Sequence, residues 1–329
     1  MSKISLCVFA AISLLMLSIS AIGGDQVKYD SSMSAMDLVN RGDEIFKSRD
    51  YIAARDIYLQ AADRAREEGD SSIITEAYAM VARCYLIQGR IDQGQPYLLK
   101  AVGTATQDQP LGWSRYLGVR GRFEWQNDYY NKATETFKEM YHYCREHDLA
   151  ERAIDAAHMV AITGTPTEQV EWSHKAIEEA EASGITSWLG PLWNNLGYTY
   201  EEMEEYDKSL QAYLNARDYH YKYGDELNRL IADWALGHAY RLTGNLDKAE
   251  KLLKPLPERF QELENYEFLG WSQKELGEIE SARGNYLPAA RLMKEASQNL
   301  RKAGMPEWDA QGFTELIRRV EELKRKSDK

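Results

Sequence analysis

Proline and cysteine are scarce in this chain, and strand-forming runs are missing. It has 8 Pro and 3 Cys in 329 residues. With few prolines to break them, and with Ala, Leu, Glu, Lys and Arg abundant, helices are the expected element. No run of alternating Val, Ile and Thr reads as a strand, so there is nothing to build a sheet from. No block of Lys and Arg occurs, and the net charge is −12. Nucleic acid is therefore a poor partner, because phosphate binding needs clustered cations; the acidity reads as solubility. Reaction motifs are missing as well. There is no phosphate-cradling glycine loop, no G-x-S-x-G and no H-E-x-x-H. The nearest thing to a metal cluster is His142, Cys144 and His147, whose helical offsets of 2 and 5 do not converge on one ion. Acidic runs such as EEMEE read as solvated faces. No catalytic residue, metal or cofactor is expected.

One long apolar run is present. Residues 1–23, MSKISLCVFAAISLLMLSISAIG, carry a single charge at Lys3 and end in small residues at Ala21-Ile22-Gly23. This reads as a secretory signal peptide, with an uncleaved anchor as the alternative. Cys7 lies too early to be a lipid-bearing cysteine. An exported chain, periplasmic or secreted and bacterial, is the expectation. The absence of any Asn-x-Ser/Thr sequon fits it. Two cysteines remain beyond the leader, Cys84 and Cys144. A bridge is open to them in an oxidising compartment, and two half-buried unpaired thiols are the plainer reading.

What the rest of the chain has is a repeat. A small residue recurs at Gly42, Ala82, Gly121, Ala157, Gly197, Gly237 and Gly277, at intervals of 36 to 40 residues. Twelve residues after each stand Ala54, Gly94, Ala133, Gln169, Ser209, Ala249 and Ala289. Sixteen after stand Tyr58, Leu98, Phe137, Ser173, Tyr213, Leu253 and Met293. Turn signals such as QGR, QND, TGN and RGN separate the slots. Each unit is expected to be two amphipathic helices joined by a tight turn, the small residue letting the second helix approach and the large one filling the groove beside it. One such pair cannot bury its apolar stripe alone, whereas a stack of them can. The fourth unit is the poorest copy: Gln169 and Ser173 break the pattern and Pro166 lies in its turn, so an irregularity or bend is expected there.

This pattern resembles the tetratricopeptide repeat family. Its W-x2-L-G-x2-Y motif is filled by Trp193, Leu196, Gly197 and Tyr200, with weaker copies at Leu236, Gly237 and Tyr240 and at Leu276 and Gly277. The resemblance implies an all-α solenoid of about seven stacked helix-turn-helix repeats, of a variety longer than the usual 34 residues. The boundaries read as a signal peptide over 1–23, a linker over 24–33, repeats over 34–304 and a C-terminal capping helix with a charged tail over 305–329. The cap opens at Pro306 and carries Trp308, Phe313, Leu316, Ile317, Val320 and Leu323.

The resemblance further implies a concave groove lined by the first helices. Candidate groove residues are Arg83, Arg122, Trp125, His158, Asn194, Tyr198, Trp234, His238 and Arg241, cationic and aromatic within an acidic chain. They suit a protein or peptide partner, in particular an extended acidic or aromatic segment. The Lys and Asn clamp of chaperone-tail receptors in the family is not reproduced, since only Asn194 and Lys274 qualify. A non-enzymatic scaffold or adaptor in the cell envelope is the leading expectation. A small-ligand receptor, for instance for a saccharide stacked on Trp125, Tyr198 and Trp234, is the alternative, and an enzyme of unrecognised type a third. Sensor domains of cytoplasmic transcription regulators have similar long repeats, against which the leader argues. No membrane contact is expected beyond an uncleaved leader. The tyrosines around YHYKYG read as packing or as an exposed rim.

Overall fold

The structure, a computed structural model, describes residues 32–328. The expected signal peptide and most of the linker lie outside them. Within them the chain is α-helical and forms two compact units, one ending at Ile185 and one starting at Thr186.

The first unit holds four helical hairpins: α1 (Ala35–Lys47) with α2 (Tyr51–Glu68), α3 (Ser71–Ile87) with α4 (Ile91–Val102), α5 (Pro110–Gln126) with α6 (Tyr130–Glu146), and α7 (Ala150–Thr163) with α8 (Pro166–Ser183). The second unit opens with a short 3-10 turn, Thr186–Trp188. It pairs α9 (Leu189–Glu202) with α10 (Tyr206–Tyr223), and α11 (Glu226–Leu242) with a divided second helix, α12 (Leu246–Leu253) and α13 (Leu256–Glu262). The last hairpin is α14 (Tyr266–Ala282) with α15 (Tyr286–Lys302), followed by α16 (Met305–Trp308) and α17 (Ala310–Ser327). The break between α12 and α13 falls at Pro255, which has no N–H to give the helix and crowds the preceding turn. Within each unit neighbouring helices pack in sequence, and α17 closes against α15 with Phe313, Leu316, Val320 and Leu323 buried. Most helices run to 17 or 18 residues, which accounts for a repeat longer than 34.

The nesting read from the small slots is present in atomic detail. A Cβ added at Gly42 would lie 2.5 Å from the Tyr58 ring, at Gly121 2.7 Å from Phe137, at Gly197 2.8 Å from Tyr213, at Gly237 2.6 Å from Leu253, and at Gly277 3.1 Å from Met293. At these five slots a methyl group would crowd the large residue of the second helix. In the second hairpin the close approach moves to the partner helix: a Cβ at Gly94 would meet the Ala82 carbonyl at 2.9 Å. In the fourth, Ser173 is buried, and the neighbouring Trp172 packs instead on the preceding hairpin, meeting Tyr141 of α6 edge to face with ring centroids 5.1 Å apart. The division between units comes directly after this irregular hairpin, two residues beyond the end of α8.

Helix starts follow local chemistry. Ser34 and Thr165 form capping boxes with Asp37 and Glu168, and Asp50, Asp70, Asp225 and Asn265 accept from backbone N–H groups of their own first turns. Gly89, Gly244 and Gly284 turn the chain out of first helices with φ of +70°, +78° and +82°. Cys84 and Cys144 are both buried free thiols, so no bridge forms between them. Burial pushes each up to about 12.

Candidate functional site

The first helices carry the polar chemistry of both units. One residue after each small slot stand Asp43, Arg83, Arg122, His158, Tyr198, His238 and Glu278, and all seven are half-buried. The register three before the slot behaves differently from expectation. Val39, Ala79, Ile154, Asn194 and Trp234 are buried between helices. Positions three apart share one helix ridge, so a residue three before a slot that faces the second helix faces it too. Asn194 and Trp234 are therefore set back from the face. The Asn194 Oδ1 is buried with no hydrogen-bond partner among the described residues.

In the first unit, charged residues of four successive first helices meet. Arg115 of α5 reaches Asp43 of α1 at 2.9 Å and Glu76 of α3 at 2.9 Å. Arg152 of α7 also donates to Glu76, and to the Ser114 hydroxyl at 2.7 Å. Arg122 donates to Asp155 at 2.6 Å and to the Gly118 carbonyl at 3.0 Å. Burial alone would raise Asp155, but Arg122 and Arg83 outweigh it and hold the carboxyl at about 2. His158 goes down to about 4 through burial, helped by Arg122 and opposed by Asp155, so its ring is neutral near pH 7. Arg83 lies over the Phe46 ring, 4.9 Å from its centroid. Trp125 is half-buried on α5.

The second unit has its own network. His238 of α11 sits between Glu201 of α9, at 2.9 Å, and Glu275 of α14, at 3.0 Å. Arg241 donates to the same Glu275. Burial works against a charged His238, but the two carboxylates raise it to about 9. Glu275 falls far below the ordinary carboxylate range, burial being overcome by His238 and Arg241. Trp234 stacks on His238 with centroids 5.6 Å apart and meets Phe268 edge to face. Tyr198 is half-buried on α9. Farther along, Arg319 of α17 pairs with Glu278 at 2.7 Å. Tyr219 and Tyr223 stack at 6.4 Å, and Tyr221 and Tyr223 are exposed, while Tyr213 is buried.

The nine candidate residues thus fall into two sets, one per unit. Arg83, Arg122 and His158 gather around Asp155; Trp234, His238 and Arg241 gather around Glu201 and Glu275. Arg122, His238 and Arg241 are each engaged with a carboxylate of a neighbouring first helix. Sequence reasoning missed Arg115, Arg152, Glu76 and Glu275. A signal existed for Glu76, a carboxylate set inside the largely apolar run IITEAYAMV, where buried pairing is expected; Glu275, in SQKELGEIES, carries none.

Family models for the tetratricopeptide repeat match residues 228–302, 75–108 and 190–216. No curated protein matches the chain. Solved structures of similar fold include a signal transduction ATPase with numerous domains, bearing a tetratricopeptide repeat sensor, from Pyrococcus horikoshii. It is 17% identical with a TM-score of 0.66 over 88% of this chain, and this chain spans only 44% of its length. The apo form of RapI matches at a TM-score of 0.57 and 15% identity, covering 82% of this chain and 98% of that one. The apo form of the quorum sensor NprR from B. thuringiensis matches at 0.55 and 14%, covering 91% and 90%. At such identities the likeness is one of fold.

Proposed function

From the premise that the chain is a tetratricopeptide repeat protein, we propose that it is a non-enzymatic scaffold that holds a protein or peptide partner against its first helices. The observation that carries this reading is the half-buried register one residue past each small slot. It presents Asp43, Arg83, Arg122, His158, Tyr198, His238 and Glu278 on consecutive first helices, while the slots themselves are consumed by packing. One protein of similar fold is a signal transduction ATPase bearing a tetratricopeptide repeat sensor and another is a quorum sensor, which accords with a recognition role. An exported location, read from residues 1–23, belongs to the same proposal. A saccharide stacked on Trp234 is not favoured, because that ring is buried against His238 and Phe268.

The test places a photo-crosslinking amino acid at Trp125 or Tyr198, on first helices, and at Leu99 or Leu287, exposed on second helices. In the native cell, one protein band should be trapped from the first pair and not from the second. Equal trapping from both pairs, or none from either, overturns the reading.

A further inference from the structure

The charges gathered in the first unit do not balance. Arg83, Arg115, Arg122, Arg152 and Asp155 line one small cleft together with Ser114, Gly118, Val119 and Met140. Behind it stand Asp43 and Glu76, already held by Arg115 and Arg152. Four guanidinium groups therefore face three carboxylates, with His158 neutral. Arg115, Arg122 and Arg152 each have their acid. Arg83 has an aromatic ring and no ion pair or hydrogen bond among the described residues, and its Nε is shut off from solvent without an acceptor. Burial, with repulsion from Arg122 and Arg115, pushes Arg83 down to about 10 in spite of Asp155, so it remains charged near neutral pH. A half-buried guanidinium with an Nε closed to water and no directly bonded acid costs the fold free energy, and part of that cost is recovered when an anion arrives.

In the second unit His238 and Arg241 face Glu201 and Glu275, Arg319 closes on Glu278, and Lys274 lies over the Trp271 ring beside Glu275. What sets the first cluster apart is that its unpaired guanidinium lines a cleft and has an Nε closed to solvent without an acceptor.

We propose that the cleft beside Arg83 receives one carboxylate from the bound partner, with Arg83 as the group that takes it. This rests on the partner-holding reading and names the chemistry of one anchor. The free volume of the cleft is ≈ 20 Å³, room for one or two water-sized groups and too little for a phosphate or a sugar ring. A guanidinium matches a carboxylate with parallel N–H donors, and Arg83 keeps all of its donors uncommitted.

The probes are N-acetylated, C-amidated tetraglutamate, free glutarate and neutral glutaramide, each added to the full chain at constant ionic strength. Calorimetry and melting temperature are the readouts. Tetraglutamate should bind and raise the melting temperature, and glutaramide should do neither. Arg83→Met should weaken tetraglutamate at least tenfold yet melt no lower than the unaltered chain, because it removes an uncompensated charge. Arg83→Lys should keep part of the binding. Glutarate binding as well as tetraglutamate would support the cleft but assign it to a free carboxylate, counting against the peptide reading. No response to either carboxylate, or R83M binding tetraglutamate like the unaltered chain, would overturn the cleft while leaving the photo-crosslinking outcome untouched. R83M and R83K both melting several degrees lower would make Arg83 a structural prop and overturn the proposal as well.

Discussion

Glu267 stands in the first turn of α14, almost wholly buried. Burial lifts its carboxyl to about 7, with Trp271 pulling weakly the other way. An unfolded glutamate titrates near 4.3, so the folded chain carries a penalty that is absent below about pH 4 and grows as pH rises toward 7. Glu267→Gln removes it. The variant should be more stable by about 2–4 kcal/mol at pH 8 and unchanged at pH 4, as read from urea midpoints at the two values. At this scale the sequence was only partly legible. It singled out Arg122, His238 and Arg241 as cations on the first helices. It did not show them engaged, since their acids lie 33 to 37 residues away on other helices. Arg83 read the same as Arg122; only the three-dimensional pairing separates the one that is left over.

Hairpins were the most readable element. A small residue with a large one sixteen positions on is a local, repeated instruction, and the rings and side chains of Tyr58, Phe137, Tyr213, Leu253 and Met293 sit where it puts them. The divided second helix at Pro255 and the packing of Trp172 onto Tyr141 of the preceding hairpin escaped notice, because each is a departure from the repeat. Two glycines of different duty give a paired test. Gly197→Ala drives a methyl into the buried Tyr213 ring at 2.8 Å and should cost about 1–3 kcal/mol. Gly244→Ala meets no atom within 4 Å but must hold φ near +78°, and should cost about 1 kcal/mol. A cost at Gly197 clearly smaller than that at Gly244, measured by denaturant unfolding, would contradict this separation of packing from backbone strain.

Across the whole molecule, the two units bind their charges with different chemistry. The ion pairs of the first unit's cluster are made by Arg115, Arg122 and Arg152, with no histidine among them. The second depends on His238. A histidine held at about 9 and titrating near 6.5 when unfolded lends stability that is complete below 6.5 and fades as pH climbs to 9. Raising pH from 7 to 9.5 should therefore loosen α9, α11 and α14 while α1, α3, α5 and α7 hold. Hydrogen exchange corrected for intrinsic rates would read this directly, and uniform loss of protection would contradict it. The spacing of contacts carries a further consequence for biosynthesis. Gly197 meets a side chain 16 residues on, whereas Arg115 reaches back 72 residues to Asp43 and Arg152 reaches back 76 to Glu76. A nascent chain leaving the ribosome can close each helical pair as soon as it emerges, but Asp43 and Glu76 wait for arginines two hairpins later, so the acids of the early hairpins stay incompletely paired until the later ones have been made.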